Sequence, residues 1–245
     1  MKTQTMIIND MTYTISETEL LYHVRKFIER ISNDISQEYL CLLKNNLPSL
    51  KIKHSTIYKI LHDGFKLQNY EMNYNVKKNK IKYHSDYIYR IYYSLFLVAS
   101  TNIGEYGLYQ GLSKKQNNDS KWIGRGLTKG YTWCLMERYF YDENKGEFFG
   151  KNEKTKKIMS EIESLLGHDV VLNCYMNANM DTFQELLLEY GNSSEVLYFI
   201  SLMDELYDAE SKQDYVKIGK LYNQVSEVLH MFITNSTNKK LQLQK

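Results

Sequence analysis

Cations and planar side chains interleave between Lys114 and Arg138. Lys114, Lys115, Lys121, Arg125, Lys129 and Arg138 stand among Trp122, Tyr131, Trp133 and Tyr139. Single-stranded nucleic acid needs both kinds of partner. Cations neutralise phosphates and release counterions, and aromatic faces stack on bases for about 1–3 kcal/mol each whatever the sequence. Gly124, Gly126 and Gly130 let a backbone approach a phosphate and leave amide donors at a helix start. The competing reading makes Trp133, Leu135 and Met136 a helix core face and the lysines its solvated rim.

The distribution of charge points the same way. The 22 tyrosines, the single proline and the many Lys, Asn and Ile residues fit an AT-rich coding sequence, but such a bias acts on the whole chain alike. Residues 44–129 hold fifteen Lys or Arg against five acids, a local charge of +10, whereas residues 142–230 hold eight bases against seventeen acids, or −9. A net charge of +2 hides this asymmetry. It predicts a polyanion-binding middle followed by an acidic portion that serves as a protein-partner surface or an electrostatic brake.

Other chemistries lack their residue patterns. The six histidines, at 23, 54, 62, 84, 168 and 230, form no HExxH or other close ligand pair, and Cys41, Cys134 and Cys174 form no CxxC. Neither a zinc site nor a disulfide framework is expected. No GxxxxGK[ST] loop, dinucleotide fingerprint or GxSxG elbow occurs, and Glu105 and Glu137 read as solvated or salt-bridged acids. We therefore expect no catalytic residue, cofactor or metal, and a binding protein rather than an enzyme. No apolar run reaches the ~18 residues of a membrane span. The start, MKTQTMIINDMTYTISE, has neither an apolar h-region nor a small-residue cleavage site, so a cytoplasmic location is expected.

These residues need elements to hold them. Ser16-Glu17-Thr18-Glu19 has the capping-box spacing, and Leu20, Leu21, Val24, Phe27, Ile28 and Ile31 recur at helical period, predicting a helix over 16–33. A second helix is expected over 35–46, ending before Pro48, and a third from Ser55 through Phe65. Residues 66–74 and 87–99 are rich in β-formers. Tyr87, Tyr89, Ile91, Tyr93, Leu95 and Leu97 share one face at period two, predicting one long strand or two joined by a bend. The alternative is a helix through 86–99. A short strand at 106–112, a polar loop over 113–120 and a helix over 127–141 follow. Helices are then expected over 152–166, 169–190 with a break, 193–210 and 213–233.

This order of a basic sheet, a polar loop, a basic-glycine segment and a Lys/Thr/aromatic helix resembles the Erf-type phage single-strand annealing proteins. In that family a Lys-Gly turn leads into a helix of the form Lys-Ala-x-Thr-x-Ala and then a basic-aromatic pair. Arg125-Gly126 matches the turn and Lys129-Gly130-Tyr131-Thr132-Trp133-Cys134 the helix. Arg138-Tyr139 resembles the pair, and Asp142-Glu143-Asn144 the acidic patch that follows. Upstream, Ile57 to Phe65 resembles the helix before the sheet, and Tyr87 to Tyr109 the strands. The resemblance covers about residues 50–145. It implies a homo-oligomeric ring or filament that holds one strand with its bases accessible, without metal or nucleotide hydrolysis.

The expected fold is α+β, an antiparallel β-meander packed on a helix, flanked by N-terminal helices and a C-terminal helical region. The expected segments are 1–48 (N-terminal helices), 49–150 (basic nucleic-acid-binding core), 151–234 (acidic helices) and 235–245 (a disordered tail). Lys121, Arg125, Lys129 and Arg138 are expected on phosphates, Tyr131 as a stacking platform, and Lys80, Lys82 and Arg90, with Lys77 and Lys78, along the sheet. The expected function is single-stranded DNA binding and annealing in recombination, encoded by a phage or mobile element. The alternative is a helical regulatory or anti-defence protein acting on a protein partner through its acidic C-terminal helices. A sheet over 66–112 packed on the 127–141 helix favours the first, and a continuous helical stack there favours the second.

Overall fold

The computed structural model describes residues 3–8, 10–16, 18–32, 34–54, 73–83, 89–105, 107–116, 121–144 and 152–243. The expected helix from Ser55 to Phe65 lies outside them, as do residues 66–72 of the first expected strand. The fold is mixed α+β and mostly helical. It divides into two compact units, one of Met1–Asn102 with Leu135–Glu147, the other of Ile103–Cys134 with Phe148–Lys245. These are not the segments expected from composition, because the central basic stretch contributes to both.

The first unit opens with a hairpin of β1 (Gln4–Ile8) and β2 (Met11–Ile15), paired antiparallel with Met6 opposite Tyr13. Met6, Ile8, Tyr13 and Ile15 are buried, following the period of two. A 3-10 turn at Thr18–Leu20 leads into α1 (Leu21–Ile31), which buries Val24, Phe27, Ile28 and Ile31. The capping box is not made as expected: the Ser16 hydroxyl donates to the Leu50 carbonyl at 3.1 Å, and α1 starts without a side-chain cap. Of the helix expected over 35–46, Gln37–Leu40 is a 3-10 turn and α2 (Cys41–Asn46) ends before Pro48 as expected, with Pro48 in the 3-10 turn Leu47–Ser49. Strands β3 (Lys51–His54), β4 (Asn73–Asn75) and β5 (Lys80–Tyr83) form a sheet in the order β3-β5-β4.

The long strand expected over 87–99 is instead the helix α3 (Tyr89–Ala99). Residues 90–99 are all buried, and a segment buried on every side carries no amphipathic period to separate helix from strand. A helix also satisfies its own backbone hydrogen bonds there, so the unit needs no further strands beside it. Asn46 bolts its C-terminal end, donating from Nδ2 to the carbonyls of Val98 (2.9 Å) and Thr101 (2.8 Å). Around α3 the rings of Phe27, Tyr92, Phe96 and Phe140 pack, with Tyr92 stacked on Phe140 at 4.3 Å between centroids.

Strand β6 (Thr101–Gly104), whose first two residues are counted with the first unit, β7 (Gly107–Gln110) and β8 (Ser113–Gln116) form a three-stranded sheet in chain order, β7 and β8 antiparallel. Thus the start of the expected polar loop is a strand, turned at Gly111 (φ 54°). Helix α4 (Arg125–Phe140) follows, its last six residues belonging to the first unit. Among the described residues five helices follow: α5 (Glu153–Leu166), α6 (His168–Met176), α7 (Met180–Leu187), α8 (Ser193–Lys212) and α9 (Tyr215–Leu243). Of the expected apolar faces, Ile158 and Ile162 of α5 and Ile200, Leu202, Met203 and Leu206 of α8 are buried, whereas Leu165 and Leu166 are half-buried and Leu197 is exposed; α8 begins with a full capping box between Asn192 and Glu195. Where a disordered tail was expected over 235–245, α9 continues to Leu243, with Ser236 buried and Asn235 Nδ2 donating to the Tyr190 carbonyl at 2.6 Å.

The described strands fall into three small sheets rather than the one meander expected. The described residues of 66–112 contain strands on either side of a helix, and β3 pairs parallel with β5.

Candidate nucleic-acid interface

Two short segments of the first unit share a pattern, Lys51-Ile52-Lys53 in β3 and Lys80-Ile81-Lys82 in β5. In a strand this alternation sends isoleucine to one face and lysine to the other. Their parallel register sets Lys51 beside Lys80 and Lys53 beside Lys82, so the four lysines share a face. On the other side of β5, Tyr74 of β4 pairs with Ile81. The isoleucine face turns inward: Ile81 is fully buried, and α3 packs against β4 and β5.

The register is held by the turn between β4 and β5. Asn79 adopts the left-handed conformation (φ 41°), which an asparagine tolerates better than most residues. Its Nδ2 donates to the Asn46 carbonyl (2.7 Å) and to Ser49 Oγ (2.8 Å), and its Oδ1 accepts from the Tyr74 hydroxyl (2.9 Å). Its carbonyl accepts from the Lys51 amide at 2.9 Å, which starts β3 in step with β5. Burial pushes the Tyr74 hydroxyl up to about 12, opposed by its hydrogen bond with Thr101. Asn75 Oδ1 accepts from the Lys78 amide and shapes the 3-10 turn that carries Lys77 and Lys78.

On the outer face Lys51, Lys53 and Lys82 are exposed and Lys80 is half-buried; Lys77 and Lys78 are exposed beside them. Among the described residues no carboxylate lies within ion-pairing distance of these six. Like charges directly opposite in a sheet are unfavourable. The face is thus a cluster of cations that no described carboxylate pairs, on a sheet whose register is fixed by hydrogen bonds.

The residues expected around the glycine turn have other duties. The amides of Gly124 and Gly126, at the start of α4, donate to the Asp204 carboxylate of α8 at 2.9 and 2.7 Å. The anion that this helix start attracts is therefore the chain's own. A Cβ on Gly126 would lie 2.1 Å from the Met203 carbonyl oxygen, so this glycine serves close approach of α4 to α8 rather than to a phosphate. Arg125 pairs with Asp208 at 3.1 Å and lies over the Tyr207 ring at 5.0 Å, and Lys114 pairs with Asp181 at 2.5 Å.

Tyr131 is fully buried, donates to Glu163 Oε1 at 2.8 Å and packs edge-on against Tyr175. It offers no face to a base, which corrects the expected stacking role. Trp133 is buried too, and Thr132 bonds the Thr128 carbonyl and the Tyr175 hydroxyl. Arg90 is 7% exposed on α3 and does not extend the lysine face. Lys121 and Arg138 are exposed and Lys129 half-buried. Lys121, Arg125 and Lys129 belong to the second unit; Lys80, Lys82, Arg90 and Arg138 to the first. Of the expected residues, the structure groups Lys80 with Lys82, and adds Lys51 and Lys53. The repeated Lys-Ile-Lys was the signal for that pair.

Asp204 and a second α8 carboxylate, Glu210, act alike. Glu210 accepts from the amides of Lys154 (2.7 Å) and Thr155 (3.2 Å) and from the Thr155 hydroxyl (2.7 Å), capping α5. Burial raises both carboxyls above their ordinary values, while the amide and hydroxyl donors and the nearby Arg125 or Lys154 charge oppose the rise.

No group of three His, Cys, Asp or Glu suited to a metal occurs among the described residues, and none of the described helices is long and apolar enough to cross a membrane. No family model, curated protein or solved structure matches the chain.

Proposed function

We propose that this chain binds single-stranded nucleic acid through its phosphates and promotes annealing of complementary strands as a homo-oligomer. The lysine face of β3, β5 and β4 is the contact surface, and Lys121, Lys129 and Arg138 are further exposed or half-exposed cations. One observation carries the reading: four lysines, paired across two strands, are neutralised by no described carboxylate. A surface that repels itself gains most from a polyanion, whose condensed counterions are released on contact.

The test combines titration of a fluorescent oligonucleotide at several salt concentrations with an annealing assay and a mass measurement of the free protein. Four phosphate contacts predict a slope of log affinity against log salt of about −3. A salt-independent affinity, or a monomer that does not accelerate annealing, defeats the reading.

A protein-interaction role is the second reading. Two separate exposed pairs favour it, Leu197 (58% exposed) and Tyr198 (50%) near the start of α8 and Tyr215 (77%) and Val216 (86%) at the start of α9, because adjacent large apolar side chains in water mark contact surfaces.

A further inference from the structure

We infer that the lysine face recognises an uninterrupted run of phosphates and no other part of its ligand, so that inorganic polyphosphate occupies it as a nucleic-acid strand does. The inference rests on the reading of this face as the strand contact.

Three observations carry it. The outward positions of the sheet hold lysines, with the exposed Asn75 beside them, and the Asn75 carboxamide oxygen already accepts from the Lys78 amide. Tyr74 lies on the opposite, isoleucine side, and its hydroxyl is bonded to Asn79. Among the described residues, no aromatic side chain therefore stands at the outward positions of these strands to stack on a base. Lysine, moreover, presents a point charge without the planar fork by which arginine reads a base edge.

The spacing matches a line of phosphates. Alternate residues of a strand are about 6.6 Å apart and neighbouring strands about 4.8 Å apart. Two lysine rows in register thus supply about one cation per 3.3 Å of strand. One nucleic-acid strand carries one charge per ~3.4 Å of helix axis. Phosphoanhydride links bring neighbouring charges closer than phosphodiester links do, so polyphosphate meets the same array with no loss of charge density.

The test displaces a fluorescent oligothymidylate from the full-length protein at fixed ionic strength. The competitors are unlabelled oligothymidylate, an abasic phosphodiester strand of equal length and inorganic polyphosphate, compared per phosphate. All three are expected to compete within about threefold of one another. The quadruple variant Lys51→Gln, Lys53→Gln, Lys80→Gln, Lys82→Gln should weaken all three by about tenfold or more. The corresponding lysine-to-arginine variant retains binding, and far-UV circular dichroism confirms that both are folded.

If oligothymidylate binds but the abasic strand and polyphosphate are weaker by about tenfold or more, stacked bases carry the affinity. The inference then falls and the strand-binding reading stands. If the folded glutamine variant binds as the parent does, the site is elsewhere and the inference falls with it. Polyphosphate binding without oligonucleotide binding removes the nucleic-acid reading and leaves the phosphate-run site intact; binding of neither overturns both.

Discussion

The lysine face of the first unit and the start of α4 in the second are both basic in sequence, and they end in opposite electrostatic states. Around the start of α4 the Gly124 and Gly126 amides are answered from within the unit by Asp204 and Arg125 by Asp208, and Lys114 of the preceding β8 is answered by Asp181. On the sheet, Lys51, Lys53, Lys80 and Lys82 stand in pairs with no described carboxylate to answer them. Local charge is thus a poor guide to a binding surface. What matters is whether the fold has already spent the charge on itself.

The comparison can be broken by exchanging the roles of the two regions. The largest effect is expected from Asp204→Ala, which leaves two amides at the start of α4 without their acceptor. Unfolding in urea should show a loss of about 2–3 kcal/mol, with oligonucleotide affinity unchanged. A fall in affinity with no loss of stability would mean that this helix start is a binding element after all.

Next, Tyr131→Phe removes the hydroxyl that donates to the buried Glu163. A cost of about 1–2 kcal/mol is expected, again without change in affinity. A Tyr131→Leu variant, which removes the ring, that folds normally but binds weakly would restore the stacking role.

Smaller and of opposite sign is the effect of Lys80→Gln. Removing one member of a like-charged pair should raise the stability of the free protein by about 0.2–1 kcal/mol at low salt. The gain should shrink in about 1 M salt, where the Debye length is ~3 Å. A destabilised variant would show that Lys80 makes a stabilising contact.

The last contrast concerns pH. Asp204 and Glu210 have folded values raised above 3.8 and 4.5, so folding favours their protonated forms. Their titration contributes stability that is complete below those ordinary values and is lost as pH rises through the folded ones. The stability of the parent relative to the non-titrating Asp204→Asn, Glu210→Gln variant should therefore be highest at acid pH and decline to a plateau toward neutrality. A difference that instead rises with pH would show that the amide and hydroxyl donors outweigh burial.

Much of the helical framework is written in local pattern. The apolar faces of α1, α5 and α8 follow a helical period, and the break between α6 and α7 lies inside the segment where one was expected. Tyr89 to Ala99 is where local pattern gives out. Its residues alternate well enough for a strand, and only the burial of residues 90–99 on every side reveals that the alternation has no solvent-facing half. The end of α9 misleads in the other direction: its polar composition suggests a free tail, whereas Asn235 is tied to the turn before α8.

The cations divide along the same line. The sequence by itself determined that lysine would alternate with isoleucine at 51–53 and at 80–82, because side-chain direction in a strand has a period of two. Tertiary structure alone decided that the two segments lie side by side in parallel register, and that Asp204 and Asp208 reach Gly124, Gly126 and Arg125 across some eighty residues of chain. Periodicity acts between neighbours along the backbone, whereas the compensation of a charge depends on what folding brings within a few ångströms of it.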